Sequence, residues 1–201
     1  MPNAEHRATA LVCIAPGSEE LEAVTVLNLL ARAGIRTTLA SVDGDGALPV
    51  TCSRGTTLLA DAALIDVADQ PFDMIVLPGG LGGAEYFARS ELLTEKVRQM
   101  HLEDRWVAAI CATPVLFLQA RGLFADSNMT CYPSLLTDIP EEHRINKRVT
   151  VDPRFNLITS QGPATSIDFA LKIIDTLCGK ETAAQVADEL VLPPGIYNYA
   201  D

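Results

Sequence analysis

The chain has 201 residues, 48% of them hydrophobic, and a formal net charge of -11, which is enough apolar material to bury the core of one compact domain over residues 1–201. Its 15 Lys and Arg are dispersed among 26 Asp and Glu, which excludes the basic footprint that stable binding to a nucleic-acid backbone requires, although chemistry on a single exposed base stays open. No run reaches the roughly 18 apolar residues of a membrane span, and the opening MPNAEHRATA has no apolar signal core, so a cytoplasmic protein is expected.

Residues 8–15 (ATALVCIA) have the length and bulk of a strand buried on both faces, stopped by Pro16-Gly17-Ser18. Residues 19–33 take helical spacing, with Ser18 as the expected cap and Gly34 as the stop. Glu22, Thr25, Asn28 and Arg32 form one polar stripe, leaving an apolar arc wider than one sheet face needs and pointing to a partner surface. Residues 35–42 are a second strand, followed by the turn Asp43-Gly44-Asp45-Gly46 and a less regular section. A third strand, residues 72–77 (FDMIVL), ends at Pro78-Gly79-Gly80. One helix is expected over 84–100, a strand over 106–110 and a short helix over 113–120. Residues 148–152 and 155–160 read as an antiparallel edge hairpin, and Gly162-Pro163 opens a long helix to Cys178. This alternation predicts a doubly wound three-layer α/β sandwich with a mostly parallel sheet, whose ligands bind beyond the carboxyl ends of its strands.

Five cysteines (Cys13, Cys52, Cys111, Cys131, Cys178), odd in number and without a C-x-x-C pair, are a reduced-thiol pattern rather than a disulfide framework. Four of them have the default reading of small hydrophobes. The three histidines, at 6, 101 and 143, do not stand at metal-ligand spacing, so no metal site is expected. His101 and His143 both fall in polar surroundings that read as solvated, which leaves no candidate for a Cys-His dyad.

Three strand ends carry unusual residues: PGSEELE, PGGLGG and CATP. In VAAICATP, Cys111 stands where a buried strand turns into a helix, the position of a nucleophile elbow without its usual glycines. There the helix macrodipole favours thiolate over thiol. Core packing is the competing reading. Gly79 and Gly80 either end a strand or allow amides to approach a nucleophile as an oxyanion pocket. Glu19 and Glu20 fit compensation of a helix dipole. Glu22, at the edge of the polar stripe, is expected to be partly desolvated with a raised pKa, able as a neutral carboxyl to donate a hydrogen bond to a thiolate.

Together ALVCIAPGSEELEAV, TCSRG, DMIVLPGGLGGAE, VAAICATP, ITSQGPATSIDFALKIID and the tail GIYNY, collinear over nearly the whole chain, resemble the ThiJ/PfpI superfamily. The likeness is to its branch containing the Parkinson-disease protein deglycase, and most closely to bacterial YajL-type members. The resemblance implies a flavodoxin-like fold, a homodimer and no cofactor. It implies that Cys111 is the reactive cysteine, Glu22 its protonated partner, and the amides near Gly80 and Ala112 the oxyanion donors. Arg54 matches a family arginine that reaches the site, in some arrangements from across a dimer, and Tyr132 takes a substrate-side position where some relatives carry histidine. Protease-like members have histidine directly after the cysteine, where this chain has Ala112, so the reading moves from proteolysis toward aldehyde and redox chemistry. The expected function is a cysteine-dependent glyoxalase or deglycase acting on methylglyoxal, glyoxal or their early adducts with protein or nucleotide groups. The alternatives are a redox-sensing stress protein or chaperone that uses oxidation of Cys111, and a purely structural or binding member of the fold.

Overall fold

The computed structural model describes residues 7–193; the GIYNY tail lies outside the described residues. A seven-stranded sheet has the order β5-β2-β1-β6-β7-β9-β8. Its strands are β1 (Thr9–Ile14), β2 (Arg36–Ser41), β5 (Ala62–Ala63), β6 (Met74–Leu77), β7 (Trp106–Ile110), β8 (Val149–Asp152) and β9 (Leu157–Ser160). All neighbours are parallel except the edge pair β8 and β9. A separate two-stranded ribbon joins β3 (Pro49–Thr51) to β4 (Thr57–Leu59).

The central strands are apolar because both of their faces are covered. In β1, Ala10, Val12 and Ile14 face one core, while Leu11 and Cys13 face the other. The first core is closed by α1 (Glu20–Arg32), α5 (Ser166–Cys178) and α6 (Lys180–Glu189). The second is closed by α2 (Leu64–Val67), α4 (Glu91–Leu102) and a π-helix at Pro114–Gln119. This is the expected doubly wound sandwich with its edge hairpin. No helix among the described residues is long and apolar enough to cross a membrane.

Local chemistry overrode the helical periodicity in several places. The single helix expected over 84–100 is two helices, α3 (Leu81–Arg89) and α4, divided at Ser90. Ser90 leaves the helical conformation and its hydroxyl accepts the Leu93 amide at 3.2 Å, which caps α4. Ser18 does not cap α1: the N-cap residue is Glu19, and the Ser18 hydroxyl accepts the Ala15 amide at 3.0 Å. The long helix before Cys178 begins with a short 3-10 turn at Pro163–Thr165. Within the section read as irregular lie β3, β4, β5 and α2, all too short for a clear period. Helix α6 was also missed, since Gly179 reads as the end of order.

The partner surface expected on α1 would lie on its outer face. Leu21 and Val24, on α1, are 50% and 47% exposed, an unusual placement for large apolar side chains on a helix that also covers the sheet.

Candidate functional site

Strands β1, β6 and β7 end at one rim, where the three unusual loops meet. Cys111 follows β7 with φ 66, a left-handed conformation that L residues other than Gly rarely adopt. Its backbone is held from both sides: its amide donates to Ser160 O at 3.0 Å, and its carbonyl accepts the Tyr132 amide at 2.7 Å. The room it needs is supplied by Gly79, where a Cβ would stand 2.4 Å from the Cys111 Cβ and 2.9 Å from Glu22 Oε2. Gly80 has φ 87 and lies against the Gly17 carbonyl, where a Cβ would come within 2.2 Å. The PGG and PGS loops can approach this closely only because both carry glycine.

Glu22 lies fully buried beneath this elbow. Its position corrects the expectation of a half-desolvated carboxyl at the edge of a polar stripe. The first turn of α1 points it inward under the sheet rim. Oε2 accepts the Gly79 amide at 2.7 Å, while Oε1 has no hydrogen-bond partner of normal geometry among the described residues. Burial pushes the carboxyl up to about 7, against the Gly79 amide and the Cys111 thiol, which favour its ionised form; the Glu19 charge adds to the rise.

Cys111 is 9% exposed. Burial, and then the Glu22 charge, push its thiol up to about 12, although the Gly80 and Ala112 amides pull the other way. Desolvation thus acts against the thiolate that the amides and the helix dipole favour, and the thiol and the carboxyl each act on the other's ionisation.

Above the pair opens a cavity of about 510 Å³ lined by Cys111, Gly80, Ala112, Arg54 and Tyr132, together with Glu19, Leu81 and Ser53 among others. Five of the six residues expected at the site share this lining, and Glu22 supports it from beneath. Tyr132 is 43% exposed, and its ring lies near Gly162. Arg54, with its side chain 81% exposed, lines the cavity of its own chain and stands 3.8 Å from Glu19 Oε2.

The β3-β4 turn that carries Ser53 and Arg54 was not legible, and its anchor revises the roles of Glu19 and Glu20. Ser53 donates its amide to Ser18 O at 2.8 Å and its hydroxyl to Glu19 Oε2 at 2.7 Å. Glu20 accepts the Arg54 amide at 3.1 Å. Desolvation raises the Glu20 carboxyl, but its own amide, those of Arg54 and Thr56, and the Ser53 hydroxyl together bring it down to about 2. Both acids thus bind the turn that forms a cavity wall, beyond any dipole compensation.

His101 and His143 stand apart from the cavity lining. His101 is not a solvated connection: it ends α4 with its ring 4.8 Å from Phe124 in an edge contact. His143 is half-buried, with Nδ1 3.4 Å from Asn128 Oδ1. Cys13 and Cys131 are fully buried and Cys52 nearly so, as core cysteines are. Among the described residues no three or more His, Cys, Asp or Glu side chains cluster so as to hold a metal ion.

Thr113 was the missed member. Thr113 is fully buried, and its hydroxyl donates to Pro78 O at 2.6 Å, joining the CATP loop to the PGG loop. Pro78-Gly79-Gly80 was visible as a motif, but which amide serves which group depends on the turn.

Residues 8–176 match the family described as DJ-1/PfpI. The chain is 40% identical over 184 residues to protein dj-1beta of Drosophila melanogaster, covering 92% of this chain and 97% of that protein. It is 34% identical over 187 residues to the glutathione-independent glyoxalase DJR-1.2 of Caenorhabditis elegans, covering 92% and 96%. The solved structure of oxidized Toxoplasma gondii DJ-1 superposes with a TM-score of 0.88 at 36% identity, over 92% of this chain and 98% of that one. The extent of these matches shows that the chain belongs to the DJ-1/PfpI family.

Proposed function

We propose that this chain is a cysteine-dependent, cofactor-free glyoxalase that also acts as a deglycase on early adducts of methylglyoxal and glyoxal with protein or nucleotide groups. The observation that carries the reading is the fully buried Glu22, one carboxyl oxygen unpartnered, beneath a conformationally strained cysteine that faces two backbone amides and an open cavity. The Glu22 carboxylate takes the Cys111 proton as sulfur attacks the aldehyde carbon of methylglyoxal. A C–S bond forms, and the oxyanion is held by the Gly80 and Ala112 amides before Glu22 protonates it to the hemithioacetal. Glu22 then removes the C1 proton and returns it at C2 while the C1 hydroxyl proton passes to the C2 oxygen, giving the lactoyl thioester with no net oxidation. Water cleaves the thioester, releasing lactate and restoring the thiol. Arg54 and Tyr132 border the substrate. Similarity to a named glyoxalase supports the reaction class, and the exposed Leu21 and Val24 support a homodimer as the working form.

The deciding experiment measures lactate from methylglyoxal in buffer without free thiols or Tris. Wild type is expected to turn over and Cys111→Ala is not; equal rates overturn the reading. A second reading is favoured by the same free oxygen: peroxide oxidises Cys111 to a sulfinate, which a protonated Glu22 stabilises, in a redox-sensing or chaperone role. Mild peroxide followed by mass spectrometry is expected to modify Cys111 first. Even oxidation across all five cysteines rejects it.

A further inference from the structure

We propose that Thr113 is a positioning residue that acts on Glu22 through the single peptide group joining Pro78 to Gly79. The two ends of that peptide are both engaged. Its carbonyl accepts the Thr113 hydroxyl at 2.6 Å, and its N–H donates to Glu22 Oε2 at 2.7 Å. Thr113 occupies the N-cap position of the π-helix yet makes no side-chain cap bond. A hydroxyl that would ordinarily serve its own helix is directed instead to the neighbouring loop, from a fully buried side chain.

Two consequences follow from this relay. A donor on the carbonyl polarises the peptide and strengthens donation from its N–H. It also fixes the plane of a peptide flanked by Gly79, which lacks a side chain to hold it, so the amide stays aimed at the carboxylate. Both effects favour the ionised carboxylate, the form that accepts the Cys111 proton. The other ionisable groups acting on Glu22 are the Cys111 thiol and Glu19, the latter 3.8 Å from the Arg54 guanidinium. Thr113 itself is absent from the cavity lining, so it influences reaction without touching substrate.

The inference rests on the reading of Glu22 as the proton carrier, and its test is independent of turnover. Infrared titration follows the protonated-carboxyl band that disappears in Glu22→Gln. In Thr113→Val, which keeps the shape but removes the donor, the midpoint of that band is expected to rise by about half a pH unit or more. In Thr113→Ser, which keeps the donor, it is expected to stay with wild type, and so is the acid limb of kcat/KM for lactate formation. Thr113→Ala provides the same contrast if the valine variant folds poorly. Coincident midpoints for wild type and Thr113→Val or Thr113→Ala overturn the relay, as does a serine variant that behaves like valine. If wild type makes no lactate, the functional reading falls while the infrared comparison still decides the relay.

Discussion

The two rims of the sheet treat their acids in opposite ways. At the amino-end rim, Asp73 accepts the Thr9 amide and hydroxyl, each at 2.9 Å, and pairs with Arg105 at 3.0 Å. Asp152, on the edge hairpin, accepts the Asn128 amide at 2.8 Å and pairs with Arg154 at 2.6 Å. At the carboxyl-end rim, Glu22 is more deeply buried, has no cation against it and keeps one oxygen without a partner. An acid with satisfied oxygens serves the fold. One left partly unsatisfied beside a strained cysteine costs stability, and it is the group to which the proposed reaction assigns proton transfer.

The sharpest way to break this contrast is Glu22→Gln, which keeps the shape and removes the exchangeable proton. Lactate formation is expected to fall by about 100-fold or more, while urea denaturation shows the variant at least as stable as wild type near pH 8. The sign follows from the titration. Folding raises the carboxyl from its ordinary 4.5 to about 7, so the folded state holds the proton longer and wild-type stability declines as pH rises between those values. A variant that loses stability at pH 8 and keeps its rate would place Glu22 with the structural acids.

Gly79→Ala tests the close approach itself. With a Cβ 2.4 Å from the Cys111 Cβ, the PGG loop must shift, and a loss of about 1–3 kcal/mol in chemical denaturation is expected. A displacement of the Cys111 elbow on the ångström scale lowers kcat/KM by about 100-fold. At the opposite rim, Asp73→Asn is expected to lower stability by about 1–2 kcal/mol and leave lactate formation within about twofold, since additivity holds between distant sites. A large loss of rate there would erase the distinction between the rims.

Two smaller effects complete the series. The Arg154 hydrogen bond, then the Asn128 and Arg154 amides, hold Asp152 at about 2 against desolvation. Its stabilising share is present above the ordinary aspartate value of 3.8 and is lost as pH falls through about 2; Arg154→Ala is expected to shift the onset of acid unfolding upward, read by circular dichroism. Arg54→Ala has the smallest effect. An exposed guanidinium 3.8 Å from Glu19 contributes little to stability, so a modest rise in KM at unchanged Tm is expected.

Much of the frame was legible. Residues 8–15, 72–77 and 106–110 were readable as strands because burial on both faces leaves almost no polar side chain in them, and the order of strands and helices then dictated a doubly wound sheet. Cys111, Glu22 and the glycines stood out by their place at strand ends. The break at Ser90 was not legible, since a helical period runs through it and only the geometry of the cap reveals the stop. The β3-β4 ribbon was hidden for another reason: three-residue strands carry no period.

The sequence by itself determined the layers and the rim where chemistry is possible, because alternation of apolar segments and turn residues encodes topology locally, while its collinear motifs carried the family resemblance. Only the tertiary structure decided the depth of Glu22, the pairing of its oxygens, the burial of the Cys111 thiol and the bond from Thr113 to Pro78. Those depend on desolvation and on hydrogen bonds between residues 35 and 57 positions apart in the chain, and the fold sets such quantities only when separate loops are brought to one rim.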